Sequence, residues 1–320
     1  MYTARTMDRT NTLIVGASAA GLACAAHLQR KNTDFVILEK QPHVAHSWRN
    51  HYDRLHLHTK KSSSALPFLK YDKNIPAYPS RLQIISYLES YCQIMNIHPV
   101  FNAEVLSMKK NEEGWLTETQ TGNYLSQHVI MCTGKTNIPN KISRQGIESF
   151  QGEIIHSSSY HNGKKFRGKN VLVIGFGNSA CEIALCLHEH GAFPSMSVRS
   201  EVNIIPRDIL GLSVLQIGIL QSGWPLKLAD KLNKPLIDLL IGNVEKYGLK
   251  KLPYGPIEQI VLNHQIPLLD IGTMKLIKKG IVRIFRDIEK IKGNIIHFEG
   301  GSQETFDAII MATGYKTGIE

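Results

Sequence analysis

The sequence predicts an α/β protein of two three-layer domains, the second inserted into the first, and three observations carry that prediction. Two stretches, NTLIVGASAAGLACAAHLQRK from Asn11 and NVLVIGFGNSACEIALCLHEH from Asn170, each read as a strand, a glycine-rich turn and a helix. Each is followed by an apolar run that ends near a charged residue, Glu39 after DFVIL and Arg199 after SMSV. Two further apolar strands, YLSQHVIMCTG and FDAIIMATGY, both finish in Thr-Gly and mark two points where the chain leaves the first sheet and later returns to it.

Length and composition agree with this plan. A chain of 320 residues with 42% apolar content can bury a core in each of two domains. The five cysteines, Cys24, Cys92, Cys132, Cys181 and Cys186, form no C-x-x-C pair, so neither a zinc site nor a thioredoxin-like dithiol is expected. A reducing, cytoplasmic setting fits them. The first residues, MYTARTMDRTN, carry no apolar stretch of a signal peptide. The run from Ile209 to Leu226 is broken by Gln216, Gln221 and Ser222 and is too short for an integral membrane segment. It reads as helices of an insertion that line a substrate channel or pack internally, with peripheral membrane contact as the alternative. The net charge of +10 is scattered rather than striped, and no nucleic-acid motif accompanies it. Anionic small molecules are the simpler partners, although solubility alone accounts for the charge equally well.

In the first unit, Gly16 permits the tight turn, Gly21 permits close packing of helix on strand, and the helix N-terminus offers free N–H groups to a pyrophosphate. Ser18 replaces the middle glycine of G-x-G-x-x-G; its Cβ narrows the approach, while its hydroxyl can donate to a phosphate oxygen. Glu39 lies 23 residues after Gly16, where an acid accepts from ribose hydroxyls. The following HSWRNHYDRLHLHTKKSSSALPF is too irregular for a core element. It predicts an ordered loop over the first cofactor, with Trp48, Arg49, Tyr52 and Arg54 as candidates for ring and phosphate contacts, or with Trp48 and Tyr52 as core aromatics. His56 and His58 share a face, but no third ligand stands near them in sequence and no metal site is expected. Residues 81 to 96 have helical spacing, and three strands follow, the last ending at Thr133 and Gly134.

The second unit supplies Gly175, Gly177 and, at the third position, Ala180. Its helix stops at Gly191. Arg199 stands 24 residues after Gly175, nearly the spacing of Glu39 in the first unit. A carboxylate repels a 2′-phosphate and a guanidinium pairs with it, so the second site is expected to prefer NADPH; the alternative makes Arg199 a surface residue at a strand end. Directly before this unit, FQGEIIHSSSY places Phe150, Gly152, His156 and Tyr160 in the pattern F-x-G-x-x-x-H-x-x-x-Y.

With these residues in view the chain resembles the flavin-containing monooxygenase family, class B flavin monooxygenases, and within it the YUCCA-like branch and its bacterial relatives. The likeness spans essentially the whole chain and rests on GASAAG, YDRLHLHTKK, the F-x-G-x-x-x-H-x-x-x-Y pattern, GFGNSA, YGLKKLPYGP with PLLDIGT, and ATGY. It implies two Rossmann-like FAD/NAD(P)-binding domains: an FAD domain of residues 1–149 and 295–320, and an NADPH domain of residues 150–294. For FAD it implies contacts from Gly16, Ser18, Ala19, Ala20, Gly21, Glu39, Lys40, Trp48, Arg49, His58, Thr133 and Gly134. For NADPH it implies Gly175, Gly177, Asn178, Ser179, Ala180, Arg199, Ser200, Ala312, Thr313, Gly314 and Tyr315.

The implied activity is NADPH-driven formation of a C4a-(hydro)peroxyflavin from dioxygen and oxygenation of a small organic substrate. That substrate is an amine or sulfide, as in N,N-dimethylaniline monooxygenase activity, or a 2-oxo acid such as indole-3-pyruvate. The chemistry is borne by the flavin, so no side chain is assigned as catalytic, and His156 takes a structural and domain-coupling role. Related Baeyer–Villiger enzymes carry tryptophan where this chain has Tyr160, and flavin disulfide reductases need a redox dithiol. A homodimer is compatible with the resemblance. Family members continue several tens of residues beyond ATGY, so it also implies an FAD domain incomplete at its C-terminus, with a catalytically silent nucleotide-binding fragment as the alternative reading.

Overall fold

The structure, a computed structural model, describes residues 7–318. Two compact units emerge from its contacts. The first is built from the chain up to His51, from Lys60–Ile138 and from Tyr315 onward. Its first strand, β1 (Met7–Val15), turns from exposed to buried at Thr10 and delivers Leu13 and Ile14 to the interior without exposure. It leads into α1 (Ala19–Arg30) and β2 (Phe35–Leu38). Helix α2 (Arg81–Ile94) begins at a capping box, in which Ser80 accepts from the Gln83 N–H and the Gln83 side chain accepts from the Ser80 N–H. It buries Ile84, Ile85, Leu88 and Tyr91. Strands β3 (Val105–Asn111), β4 (Gly114–Thr119) and β5 (Asn123–Met131) complete a sheet of order β2-β1-β5-β4-β3. The pairings of β1 with β2 and β5 are parallel, and β4 runs antiparallel to both neighbours.

The second unit comprises Tyr52–Thr59 and Pro139–Gly314. Its strands β6 (Glu153–His156) and β7 (Asn170–Ile174) are followed by α3 (Asn178–Glu189) and β8 (Phe193–Ser197). Three helices come next, α4 (Val214–Leu220), α5 (Leu226–Ile241) and α6 (Pro256–Asn263). Strand β9 (Arg283–Phe285), an antiparallel trio of β10 (Ile288–Lys292), β11 (Ile295–Phe298) and β12 (Gln303–Thr305), and β13 (Ala308–Met311) close the unit. The main sheet, in the order β9-β8-β7-β13-β6, is parallel throughout. Its central strands are apolar runs buried along almost their whole length, as a sheet covered on both faces requires.

The placement of β13 departs from the sequence expectation. The second Thr-Gly strand does not return to the first sheet; it lies in the second, between β7 and β6. Every residue of AIIM is buried, and two neighbouring parallel strands supply both its hydrogen-bonding edges. The Asp307 carboxylate before it accepts from the Asn170 N–H at 2.7 Å. The units therefore divide near 138/139 and 314/315 rather than at 149/150 and 294/295, and Tyr52–Thr59 joins the second.

Two residues of the F-x-G-x-x-x-H-x-x-x-Y pattern explain how β6 seats here. Phe150 packs into a cluster of Leu172, Ile288, Phe298, Phe306 and Ile309 that joins the antiparallel trio to the parallel sheet. Gly152 passes so close to β13 that an added Cβ would lie 2.3 Å from the Asp307 carbonyl oxygen.

The helical segment also differs from an internally packed insertion. Leu210 is 94% exposed and Leu220 71%, and α5 leaves Leu228, Leu232 and Leu239 on the surface. Among the described residues no helix is long and apolar enough to cross a membrane. Helix α6 has no side-chain cap from its own N-cap residue, Gly255. Asp230 of α5 caps it instead, accepting from the N–H groups of Ile257 and Glu258 at 2.9 and 3.0 Å.

Candidate functional site

Both units place a glycine-rich turn at the same point of their sheets. In each, the strand before the turn is flanked on one side by the strand that follows the helix and on the other by a strand that ends in Thr-Gly. Chain order reverses there, and the crevice beyond the strand ends receives ligands in open α/β sheets. The first glycine of each turn needs its freedom for two reasons. Gly16 and Gly175 have φ of +109° and +119°, and a Cβ would stand 2.5 Å from the Cys132 carbonyl oxygen in one unit and 2.6 Å from that of Ala312 in the other.

In the first unit, Ser18 is the N-cap of α1, but its hydroxyl does not cap the helix. Ala19 and Ala20 open the helix, and Ala20 is exposed. Glu39 is buried, and its carboxylate braces the turn, accepting from the Ala17 N–H at 2.8 Å and the Gln41 N–H at 3.0 Å. A carboxylate has about four acceptor positions, so these two bonds leave capacity for a ribose hydroxyl. At the end of β5, the Thr133 hydroxyl is buried with no hydrogen-bond partner among the described residues, and Gly134 follows with nothing near where a Cβ would stand. A buried orphan hydroxyl beside a phosphate-binding turn is what an absent polar ligand leaves behind, and the residues fit FAD in that respect.

The loop candidates are distributed differently from the sequence expectation. Arg49 is engaged within the protein: it pairs with Glu89, and its Nε donates to the Val44 carbonyl at 3.2 Å. Trp48 is half-buried against His51, and Lys40 is exposed. Tyr52 is a core aromatic at 2% exposure. Arg54 pairs with Glu189, and the His58 Nε2 lies 2.5 Å from the buried Glu182 carboxylate, both acids being on α3. His58, expected among the FAD contacts, is thus anchored to the helix of the second turn. Among the described residues no cluster of three or more metal-ligating side chains forms.

In the second unit a cleft of about 320 Å³ opens at the turn, lined by Gly175, Gly177, Asn178, Arg199, Ser200 and Thr313. A Cβ on Gly177 would meet nothing within 4 Å, so the space before α3 is open to a phosphate. Asn178 is held by the Leu269 N–H, which donates to its Oδ1 at 2.9 Å, while Ala180 is fully buried against the sheet. Arg199 is exposed on the cleft, and among the described residues no acid pairs with it. Such a guanidinium fits a 2′-phosphate. Sequence reasoning missed Arg144 and Asp287, which also line the cleft: the Arg144 Nη2 donates to both carboxylate oxygens of Asp287, at 2.8 Å each. No local motif marks two residues that far apart in the chain.

The second Thr-Gly turn is fixed more firmly than the first. The Thr313 hydroxyl donates to the Asn140 carbonyl, the Asn140 N–H donates to the Gly314 carbonyl at 3.0 Å, and the His156 Nε2 donates to that same carbonyl at 3.1 Å. The His156 Nδ1 accepts from the Ser158 N–H at 3.1 Å, which sets the neutral tautomer with its proton on Nε2. Ala312 precedes this turn, and Tyr315 after it falls in the first unit. Tyr160 is wholly buried, stacked on Phe166 with its hydroxyl beside Cys186, and burial pushes that hydroxyl above the ordinary tyrosine range.

Burial holds His156 below the ordinary histidine value of 6.5; the Gly314 carbonyl opposes this, and the Lys141 charge adds to it. A depressed histidine binds fewer protons folded than unfolded, so its contribution to stability is complete above 6.5 and declines as pH falls through the folded value. Melting temperature should therefore drop below pH 6.5 in the native protein, and His156→Gln should flatten that acid limb. An unchanged limb would assign it to other groups.

Comparison with known proteins agrees with this geometry. A family pattern described as pyridine nucleotide-disulphide oxidoreductase matches residues 13–208. The probable indole-3-pyruvate monooxygenase YUCCA7 of Arabidopsis thaliana is 38% identical over 320 residues, covering 96% of this chain and 74% of that protein. The probable indole-3-pyruvate monooxygenase YUCCA4 of the same plant is 39% identical, covering 96% and 76%. Among solved structures, a flavin-containing monooxygenase from Stenotrophomonas maltophilia superimposes with a TM-score of 0.74 at 20% identity, covering 97% of this chain and 79% of that one. An oxidized steroid monooxygenase bound to NADP gives 0.76 at 18% identity, covering 96% and 71%. Two glycine-rich turns stand at strand-order reversals, one beside a buried acid and the other beside an open arginine, and the chain belongs to the flavin-dependent monooxygenases of the YUCCA-like branch, which use FAD and NADPH.

Proposed function

We propose that this NADPH-dependent flavin monooxygenase oxygenates a 2-oxo acid of the indole-3-pyruvate type. The observation that carries this reading is the 38% identity, along 96% of the chain, to a probable indole-3-pyruvate monooxygenase. Uptake of one oxygen atom by a 2-oxo acid with loss of carbon dioxide yields a carboxylic acid one carbon shorter; the second oxygen atom leaves as water. Small amines and sulfides are the second substrate class to be compared. Bound FAD, reduced by NADPH, supplies the activation of dioxygen.

The chain's own residues bind and orient. Ser18, Thr133 and the turn after Gly16 hold the FAD pyrophosphate, with Glu39 on the ribose. Gly177, Asn178 and Ser179 present the start of α3 to the NADPH phosphates, while Arg199 and Ser200 receive the 2′-phosphate. His156 keeps the Thr313–Gly314 turn in place beside the nucleotide. No side chain is assigned to the reacting atoms. The reading places a cytoplasmic enzyme among dissolved small molecules.

The test is oxygen and NADPH consumption by FAD-reconstituted protein with indole-3-pyruvate, an aryl sulfide and a tertiary amine, with product analysis by mass spectrometry. Stoichiometric indole-3-acetate is the expected result. Oxygenation of only the amine or sulfide would overturn the 2-oxo acid assignment. Protein that stays colourless after FAD addition would return the chain to a silent nucleotide-binding role.

A further inference from the structure

A second cavity, of about 390 Å³, opens in the helical segment of the second unit. No residue of either glycine-rich turn lines it, although Val202 and Asn203 form a wall common to it and to the cleft at Arg199. Its volume falls in the range of about 300–1,000 Å³ that small-molecule pockets occupy.

The sequence of α5 gives this cavity two different ends. Lys227, Lys231, Lys234, Ile237, Asp238 and Ile241 all line it, at the three- and four-residue intervals that share one helix face. Lysines hold the N-terminal half of that face and isoleucines the C-terminal half. Ile204, Ile241 and Val244 are buried, so the isoleucine end is walled by apolar side chains.

The remaining wall is fixed by hydrogen bonds. The Val202 N–H donates to the Lys250 carbonyl at 2.8 Å, and the Leu252 N–H donates to the Val202 carbonyl at 3.3 Å. The Asn203 Nδ2 donates to the Tyr254 carbonyl at 2.9 Å and to the Gln259 Oε1 at 3.1 Å. The cavity is therefore formed before any ligand arrives, as small-molecule sites usually are.

Charge decides which ligand suits it. Of the lining carboxylates, Asp230 is engaged by the start of α6, and Asp238 is paired with Lys234 and, at 3.0 Å, with Lys251. Lys227 and Lys231 are exposed and pair with no group among the described residues. Glu258 also lines the cavity and offsets one of them, which leaves the site positive. The first turn of α5, which carries Lys227, adds the positive end of the helix dipole.

We propose that this cavity is a binding site for a small carboxylic acid with an apolar body. Its carboxylate is taken by Lys227 and Lys231, and its body lies along Ile237, Ile241 and Val244. An aliphatic chain and an aromatic ring system satisfy the same chemistry. A free fatty acid brings the first, and the acid formed by the reaction proposed for this enzyme brings the second. The site rests on the cavity and its lysines, not on that reaction.

The experiment is isothermal titration of the full chain, with FAD and saturating NADP⁺ present, with octanoate, indole-3-acetate and, as the cationic control, octylamine. One or both acids should bind at a single site per chain, and octylamine should not. Octanoate alone would name an aliphatic source and indole-3-acetate alone the enzyme's own product class. The double variant Lys227→Gln/Lys231→Gln, whose altered side chains are exposed, should weaken acid binding roughly tenfold or more. No binding of either acid, equal binding by that variant with its fold intact by circular dichroism, or equally tight binding of octylamine would overturn the proposal. A diazirine-bearing octanoate, cross-linked to the native chain and mapped by mass spectrometry, locates the site without a variant: adducts within residues 202–258 are expected, and adducts confined to other segments would overturn it. The titration needs no bound flavin, so protein that stays colourless is titrated in the same way, and its failure to hold FAD overturns the flavin assignment and leaves this site to its own result.

Discussion

Arg199→Ala is expected to lower kcat/KM for NADPH roughly tenfold to a hundredfold while leaving NADH nearly unchanged, because a charge-assisted pair contributes on the order of 1.5–3 kcal/mol. The cleft position supports this size of effect, since the guanidinium stands at the rim with no acid pairing among the described residues to compete for it. Arg144, by contrast, already has its charge opposed by Asp287, whose two carboxylate oxygens accept from its Nη2. Steady-state kinetics with both nucleotides decide the matter. Equal losses for NADPH and NADH would show that Arg199 does not read the 2′-phosphate.

The second large effect belongs to Gly21. Its Cα is so close to the turn that alanine would place a methyl 1.9 Å from the Gly16 carbonyl oxygen, a backbone atom that cannot swing aside. Helix α1 must shift or the turn must open, at a cost of about 1–3 kcal/mol. For a domain of this size that lowers the melting temperature by roughly 2–4 °C per kcal/mol and should release flavin on gel filtration. Gly177→Ala is the matched control: φ there is −88° and a Cβ meets nothing, so folding should be unaffected while NADPH binding weakens. A Gly21→Ala protein that melts like the native one would mean that α1 rides freely on its sheet.

The parts that sequence made legible are those written in short range. Strand, turn and helix around Gly16 and Gly175 depend on neighbours a few residues away, and Glu39 and Arg199 sit at spacings set by one helix and one strand. What it hid depends on partners elsewhere in the chain. FDAIIMATGY has the apolar content of a central strand for either sheet; the choice is made by β6 and β7, and by Gly152 lying against Asp307. Arg54 and His58 look like cofactor contacts in a polar loop until Glu189 and Glu182 of α3 claim them.

The carboxylate that Asp230 lends to α6 has a consequence for how this part of the molecule comes apart. An eight-residue helix is too short to persist alone in water, and this one draws its first hydrogen bonds from a different helix. Opening α5 around Asp230 removes those bonds at once. The amide protons of α6 should therefore exchange with solvent at a rate governed by α5, so that the two helices keep a single clock although a loop separates them.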